Sequence, residues 1–415
     1  MMRVGRKRTN AENQVADLLH TARTSLGLST AFLSRLDGTT QHLEVVDSAV
    51  PLLFPEKVTQ RQSTSLCQGV LDGELPAVMP DLTAVPAAMR RPAAWLPRVR
   101  SFISVPVTLS DGTLYGTFCA AGLSTDEQLT DRDQALLKVL AHAAALVIEP
   151  ELSEQAQRSA VTAKLAPVIA AGGPEIALQP IVDLATGRRV GAEALARFPG
   201  AWQQPPDVVF ADAHRVDLGD ELELLALRRA AEALGAVTGY VAMNVSPATL
   251  LLARVRRFLR RAPLQRIVLE LSEHDPVADY EELLAALAAL RAAGMRLAID
   301  DVGAGFSSLR HIVLTSPDVL KLDRTIVAGV GDDSVLTTLV RSMVDFARGC
   351  GATVVAEGIE TADDARRLRS LGVQHGQGWF FAPAGHGAAL RECYEMPART
   401  TVPRPRSPAS AAVMR

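Results

Sequence analysis

The sequence predicts two α/β domains in series: a smaller α+β domain, then a (β/α)8-type barrel. Three observations carry this. The chain has 415 residues, enough for two ordinary domains. Its first part mixes amphipathic helices with short strands and a hairpin. From residue 174 onward, eight short apolar runs alternate with helical patterns, the rhythm of a barrel with an outer ring of helices.

Within residues 11–150, "AENQVADLLHTARTSLG" places Val15, Leu18, Leu19 and Ala22 on one helical face. "TAFLSRL" and "HLEVVDSAV" read as strands. "SFISVPVTLSDGTLYGTFCAAG" reads as a hairpin turning at Asp111-Gly112. A closing helix starts at Thr130, where Thr130 and Asp133 form a capping-box pattern with Asp in place of Glu. Residues 151–173 continue as helix and stop at Gly172-Gly173, which marks them as a semi-rigid linker. The barrel strands are then "IALQPIVDL", "RRVGAEALARF", "YVAMNVS", "RIVLELSE", "RLAIDDV", "DVLKLD", "TVVAEG" and "GVQHGQGWF". Helices such as "DYEELLAALAALRAAG" and "DSVLTTLVRSMVDFARGCG" fall between most of them.

Composition narrows the function. Hydrophobic residues make up 48% and charged residues 21%, a globular balance, and the net charge of -3 gives no reason to expect a nucleic-acid partner. The four cysteines, Cys67, Cys119, Cys350 and Cys393, contain no CxxC pair, which fits a reducing cytoplasm better than a disulfide framework. No secretion signal or membrane span is expected. Residues 1–10 form a basic segment, and the Pro-, Arg- and Ser-rich residues 396–415 read as a disordered tail.

The chemistry gathers where a barrel keeps it, at the C-terminal ends of the strands. Glu193, Asn244, Glu270, Glu273, Asp300, Asp301, Lys321, Asp323, Glu357 and Gln377 all fall there. Any one acid at a strand end is ordinarily a solvated residue or a helix cap, and Asn244 before Ser246-Pro247 could cap the next helix. The set is different: six or seven carboxylates, two carboxamides and a lysine are expected to converge on one rim. Oxygen donors without sulfur or imidazole suit the hard cations Mg2+ or Mn2+. The pair Asp300-Asp301 ends an apolar strand, where adjacent side chains would point to opposite faces. The sequence therefore predicts that the alternation breaks there, with Gly303 and Gly305 allowing a sharp turn, so that Asp300 bridges two ions and Asp301 serves one.

The motifs "QPIVDL" (179–184), "EALAR" (193–197), "NVSP" (244–247), "ELSE" (270–273), "DDVGAGFSSL" (300–309), "KLD" (321–323), "AEGIE" (356–360) and "QGW" (377–379) resemble, in this order, the EAL-type cyclic-di-GMP phosphodiesterases. The resemblance covers residues 174–395 and implies a TIM-like barrel that hydrolyses cyclic di-GMP to linear pGpG with two Mg2+ or Mn2+ ions. It implies that Glu193, Asn244, Glu270 and Asp300 hold one ion, and that Asp300, Asp301 and Glu357 hold the other. Lys321 would help activate the water, and Asp323 and Gln377 would orient it. Glu273 would brace loop 301–309, which in the family couples metal binding to dimerisation. Gln179, Leu195 and Arg197 would contact the dinucleotide. A homodimer through the barrel is the implied assembly. The alternative is a receptor or scaffold of the same fold without turnover.

Departures from the family pattern lie in 199–223, where His214 stands at a position that commonly carries an acid, and in "QGW" for the commoner QGY or QGF. No metal-ligand position is lost, and no GGDEF-like cyclase motif is present. Residues 11–150 resemble a GAF sensor domain through "SLCQGVLDGELPAVMPDL" and the hairpin segment 101–122. Its signal, a small molecule or a redox change, is not specified by the sequence. Cys67 is a redox thiol, a chromophore or metal contact, or a packed thiol; Cys119, inside an apolar strand, reads as core, and His142 as surface.

Overall fold

The computed structural model describes residues 8–51, 54–92, 98–200, 202–272, 274–303, 308–385, 390–392, 394 and 396. The chain divides into two compact units, with the boundary after Ser159.

The first unit carries α1 (Asn10–Leu26), β1 (Thr30–Leu36), β2 (Thr40–Ser48), β3 (Thr59–Arg61), α2 (Leu66–Leu71), β4 (Val78–Met79), α3 (Pro86–Met89), β5 (Ser101–Thr108) and β6 (Leu114–Gly122). Helix α4 (Asp131–Ala170) begins in this unit and runs past the boundary. The strands form one antiparallel sheet in the order β3-β2-β1-β6-β5-β4. Alternation along β6 sends Phe118 and Ala120 to one face and Cys119 and Ala121 to the other. The first face packs on Val15, Leu19 and Ala22 of α1 and on Leu137 and Ala141 of α4. The second packs on Leu66 and Cys67 of α2 and on Met79 and Leu82. Helix α1 starts at a full capping box, Thr9 with Glu12, and stops at Gly27 with φ +65°. The expected hairpin turn holds Gly112 at φ +86°, and the Asp133 carboxylate accepts from the Thr130 N–H at 2.8 Å. His142 is exposed.

The second unit contains β7 (Glu175–Asp183), β8 (Arg189–Arg197), α5 (Pro206–Arg215), α6 (Gly219–Glu232), β9 (Tyr240–Asn244), α7 (Pro247–Leu251), α8 (Ala253–Leu259), β10 (Ile267–Ser272), α9 (Tyr280–Ala292), β11 (Arg296–Val302), α10 (Ser308–Thr315), β12 (Val319–Leu322), α11 (Arg324–Val327), α12 (Ser334–Cys350), β13 (Thr353–Ala356), α13 (Ala362–Leu371) and β14 (His375–Gly376). All eight predicted strands form, and β7 through β14 close into a barrel. One feature departs from a regular (β/α)8 barrel. Strand β7 runs antiparallel to both of its neighbours, β8 and β14. The turn from Asp183 to Arg189 is too short for the crossover that a parallel pair needs, so β7 and β8 must be a hairpin. The segment 199–223, irregular by motif, folds as α5 and the start of α6, with Asp217 between them at φ +64°. Leu165 and Val168 from the end of α4 are buried here against Trp202, Val209 and Leu222.

The barrel interior is built in layers. Ile181, Ala242, Val268, Ala298, Val319 and Val355 form an apolar plug. Side chains two residues further along a strand point the same way. Stepping two residues toward the C-terminal rim from Ala242, Val268, Ala298, Val319 and Val355 reaches Asn244, Glu270, Asp300, Lys321 and Glu357. On the reversed β7 the same step runs backwards, from Ile181 to Gln179. The polar rim is the next layer of the barrel's own packing.

Candidate active site at the barrel rim

Lys321 is the hub of this layer. Its side chain is 1% exposed, and its Nζ lies 2.7 Å from Glu357 Oε1, 3.0 Å from Glu270 Oε1, 3.1 Å from Asp300 Oδ1 and 3.4 Å from Glu193 Oε1. Burial alone would lower its pKa, but Asp300, Glu193, Glu270 and Glu357 outweigh burial and hold the ammonium charged well above its ordinary value. Glu193 is pushed up by burial, yet Lys321, Gln377 and Asn244 hold it below its ordinary value. Glu270 and Glu357 lack that much help: burial, and then repulsion from their acidic neighbours against the pull of Lys321, leave both raised well above the usual carboxylate range.

Asp300 and Asp301 reach the site by a route the glycines do not supply. Ile299 pairs with Leu320 and Val302 with Leu322, so two residues of β11 face Lys321 alone on β12. This is a β-bulge. Asp301 sits in it at φ +59°, a left-handed conformation that Asp tolerates better than most residues, and its N–H donates to Asp300 Oδ1 at 3.0 Å. The expected break in alternation is therefore at Asp301 itself. Gly303 does take φ +105°, two residues later, and Gly305 lies outside the described residues. Burial, and then the Asp300 charge, push the Asp301 carboxyl up to about 6.

The carboxylates form two groups, each with donor oxygens within 4.8 Å of one another: Glu193, Glu270 and Asp300, and Asp300, Asp301 and Glu357. Asp300 belongs to both. Among the ring's members, Glu270 Oε2 is buried without a hydrogen-bond donor. With all five acids ionised, as cation binding would require, five carboxylates against one ammonium leave four negative charges, which two divalent cations would neutralise. An all-oxygen, charge-deficient donor set with an orphaned carboxylate oxygen fits hard divalent cations.

The remaining residues divide. Asn244 donates from Nδ2 to Glu193 Oε1 at 3.4 Å, which joins it to the first group. The buried Gln377 amide donates to Glu193 Oε2 and to Gln179 Oε1 (2.9 Å), linking the reversed strand to the ring. Leu195 and Arg197 line a cavity of about 480 Å3 that also touches Glu193, Asn244 and Asp300. Asp323 is in neither carboxylate group; it caps α11, accepting from the Thr325 N–H at 2.8 Å. Glu273 lies outside the described residues, as does 304–307 of the loop it would brace. Sequence reasoning missed Glu223. This buried acid accepts from the Ser246 N–H at 2.9 Å and lies 2.7 Å from His214 Nε2, so it anchors the turn directly after Asn244. The available signal was an acid between leucines on a helical face.

Comparison with known proteins places this geometry. The EAL domain model matches residues 162–384, more than half of the chain. The chain belongs to the EAL domain family. The GAF domain model matches residues 10–149, so the first unit is a GAF domain. Two relatives from Escherichia coli are named "Probable cyclic di-GMP phosphodiesterase": PdeB, 33% identical over 220 residues, and PdeN, 32% identical over 224. Each alignment covers 50% of this chain and 42% of the relative, so this chain spans less than half the length of those curated relatives. The solved EAL domain of FimX from Xanthomonas citri, in complex with c-diGMP, aligns with a TM-score of 0.51 at 21% identity. It covers 58% of this chain and 99% of its own, and shows a shared fold. Among the described residues no helix is long and apolar enough to cross a membrane.

Proposed function

We propose that the barrel hydrolyses one 3',5'-phosphodiester bond of cyclic di-GMP to give linear pGpG, using two divalent cations, Mg2+ or Mn2+. The observation that carries this reading is Asp300, shared between two carboxylate groups in a ring where acids outnumber the single Lys321 ammonium. Membership of the EAL domain family and the names of the relatives support it. Glu193, Asn244, Glu270 and Asp300 would hold one cation; Asp300, Asp301 and Glu357 would hold the other. When bound, the cations supply Lewis acidity toward the phosphate and lower the pKa of water at neutral pH.

The chain's own groups do the rest. Lys321, held as an ammonium, donates hydrogen bonds to the attacking water and to negative charge developing on the phosphate. Gln377 fixes the Glu193 carboxylate through Nε2, and Asp323 orients the neighbourhood of the water from the start of α11. Gln179, Leu195 and Arg197 contact the dinucleotide, and the Arg197 guanidinium suits bidentate contact with a phosphate. The same reading makes the protein a cytoplasmic homodimer whose GAF domain adjusts turnover in response to a small-molecule or redox signal.

The test is product analysis by liquid chromatography. Full-length protein is incubated with cyclic di-GMP and Mg2+ or Mn2+, beside Glu193→Ala. We expect pGpG from the wild type, and from Glu193→Ala less than about a tenth of that rate. Folded dimeric protein that turns nothing over with any divalent cation overturns the reading. Binding without product would make the barrel a receptor.

A further inference from the structure

The geometry points to a second chemical site, in the GAF domain: Cys67 and Cys119 form a dithiol that hydrogen peroxide oxidises to a disulfide tying α2 to β6. Both thiols are free, and their Sγ atoms lie 3.3 Å apart although 52 residues separate them in sequence. A disulfide needs about 2.05 Å between sulfurs, so closure asks for an approach of roughly 1.3 Å. One sulfur belongs to a six-residue helix and the other to a central strand of the sheet.

The surroundings are not those of two thiols that merely fill space. The Cys119 sulfur lies 3.2 Å from Ser104 Oγ and 3.2 Å from Thr117 Oγ1. Thr117 continues to Ser34 Oγ at 2.7 Å, and Gln41 Nε2 donates to the same Ser34 oxygen at 2.8 Å. The Cys119 S–H, acting against burial and helped by Thr117 and Gln41, draws the Cys67 thiol down to about 7. Burial pushes Cys119 well above its ordinary value. With the sulfurs 3.3 Å apart, one thiol can attack the oxidant and the other can resolve the product without a large movement of the chain.

The steps balance. The Cys67 thiolate attacks one oxygen of hydrogen peroxide; the O–O bond breaks, and hydroxide leaves and takes a proton to become water. Cys67 is then a sulfenic acid. Cys119 Sγ attacks Cys67 Sγ, the S–O bond breaks, and the hydroxyl leaves with the Cys119 proton as a second water. The two cysteines lose two electrons and the peroxide gains them. Cys67 is 2% exposed and Cys119 0%, so the oxidant must be about the size of water, and bulky alkylating agents are excluded.

The experiment treats the full-length protein with hydrogen peroxide, blocks remaining thiols under denaturing conditions and maps the digested peptides by mass spectrometry. We expect a linked pair of peptides containing Cys67 and Cys119, two hydrogens lighter than the free peptides and separated by dithiothreitol. Iodoacetamide on the folded, reduced protein should label the exposed Cys350 and spare the pair. In Cys67→Ser, Cys119 should stay a thiol. Oxidation confined to Cys350 and Cys393 overturns the proposal. So does Cys67 ending as a sulfinic acid with no linked peptide. The wild-type peptide map decides between these outcomes whether or not the variant folds.

Discussion

Each unit buries a polar cluster, and the two are built in opposite ways. At the barrel rim five carboxylates face one ammonium, and Glu270 Oε2 has no donor. On the GAF sheet Ser34, Gln41, Gln60, Ser104 and Thr117 carry no charge and bond to one another and to two thiols. Desolvated charge of one sign costs stability until a counter-charge arrives. A neutral network that satisfies itself costs little and can stand closed. The barrel therefore keeps its polar rim at the expense of its metal-free stability, whereas the GAF cluster needs no ligand to persist.

The largest effect should follow from removing the ammonium. Lys321→Met leaves the ring without its internal counter-charge and should cost about 3–5 kcal/mol of unfolding free energy in chelator. Mn2+ should restore a large part of it. Denaturant unfolding with and without Mn2+ measures this, and a variant as stable as wild type in chelator would erase the contrast.

Next comes the cation itself. At about 100 times its Kd, Mn2+ should stabilise the wild type by about 2.7 kcal/mol. Its apparent affinity should rise with pH through about 6, because Asp301 releases its proton there. The stability of the metal-free protein should move the other way. A carboxyl raised by folding from 3.8 to about 6 keeps a proton that the unfolded chain has already lost. Asp301 therefore stabilises the metal-free fold at low pH, and that contribution is lost as pH rises across this window. Melting curves at pH 5 and pH 7 in chelator, with Mn2+ titrations at both, check the two signs together.

A neutral deletion should be smaller and indifferent to metal. Thr117→Val removes the hydroxyl partner of Ser34 and should cost about 2 kcal/mol in chelator and in Mn2+ alike. Smallest is the backbone term at the bulge. Asp301→Val should melt below Asp301→Asn by about 1 kcal/mol in chelator, since a β-branched residue resists positive φ and neither variant carries the charge.

Much of this was legible in the sequence because barrels write their layers with a fixed step. Apolar runs gave the eight strands, and their polar last residues gave Asn244, Glu270, Asp300, Lys321 and Glu357. The direction of β7 was less visible, because alternation looks the same read either way; only the shortness of the turn from Asp183 to Arg189 carried it. The break at Asp300-Asp301 was inferred, but its means was assigned to Gly303 and Gly305, since nothing local marks an aspartate as the residue that will take positive φ. Asp323 matched a motif, yet its carboxylate is engaged with Thr325. Glu223 and the Cys67–Cys119 pair escaped because their partners are distant in sequence, and no periodicity reports a contact of that kind.

The bulge has a consequence for how this barrel tolerates length changes. Loops between strands and helices can gain or lose residues at little cost. Between Ile299 and Val302 a single deletion would let the ladder heal and leave one carboxylate where two now stand opposite Lys321. The barrel would close as before, and Asp300, common to both carboxylate groups, would have lost its neighbour. Counting residues in that one interval is therefore a quicker guide to whether a related chain keeps a paired centre than scoring its overall likeness.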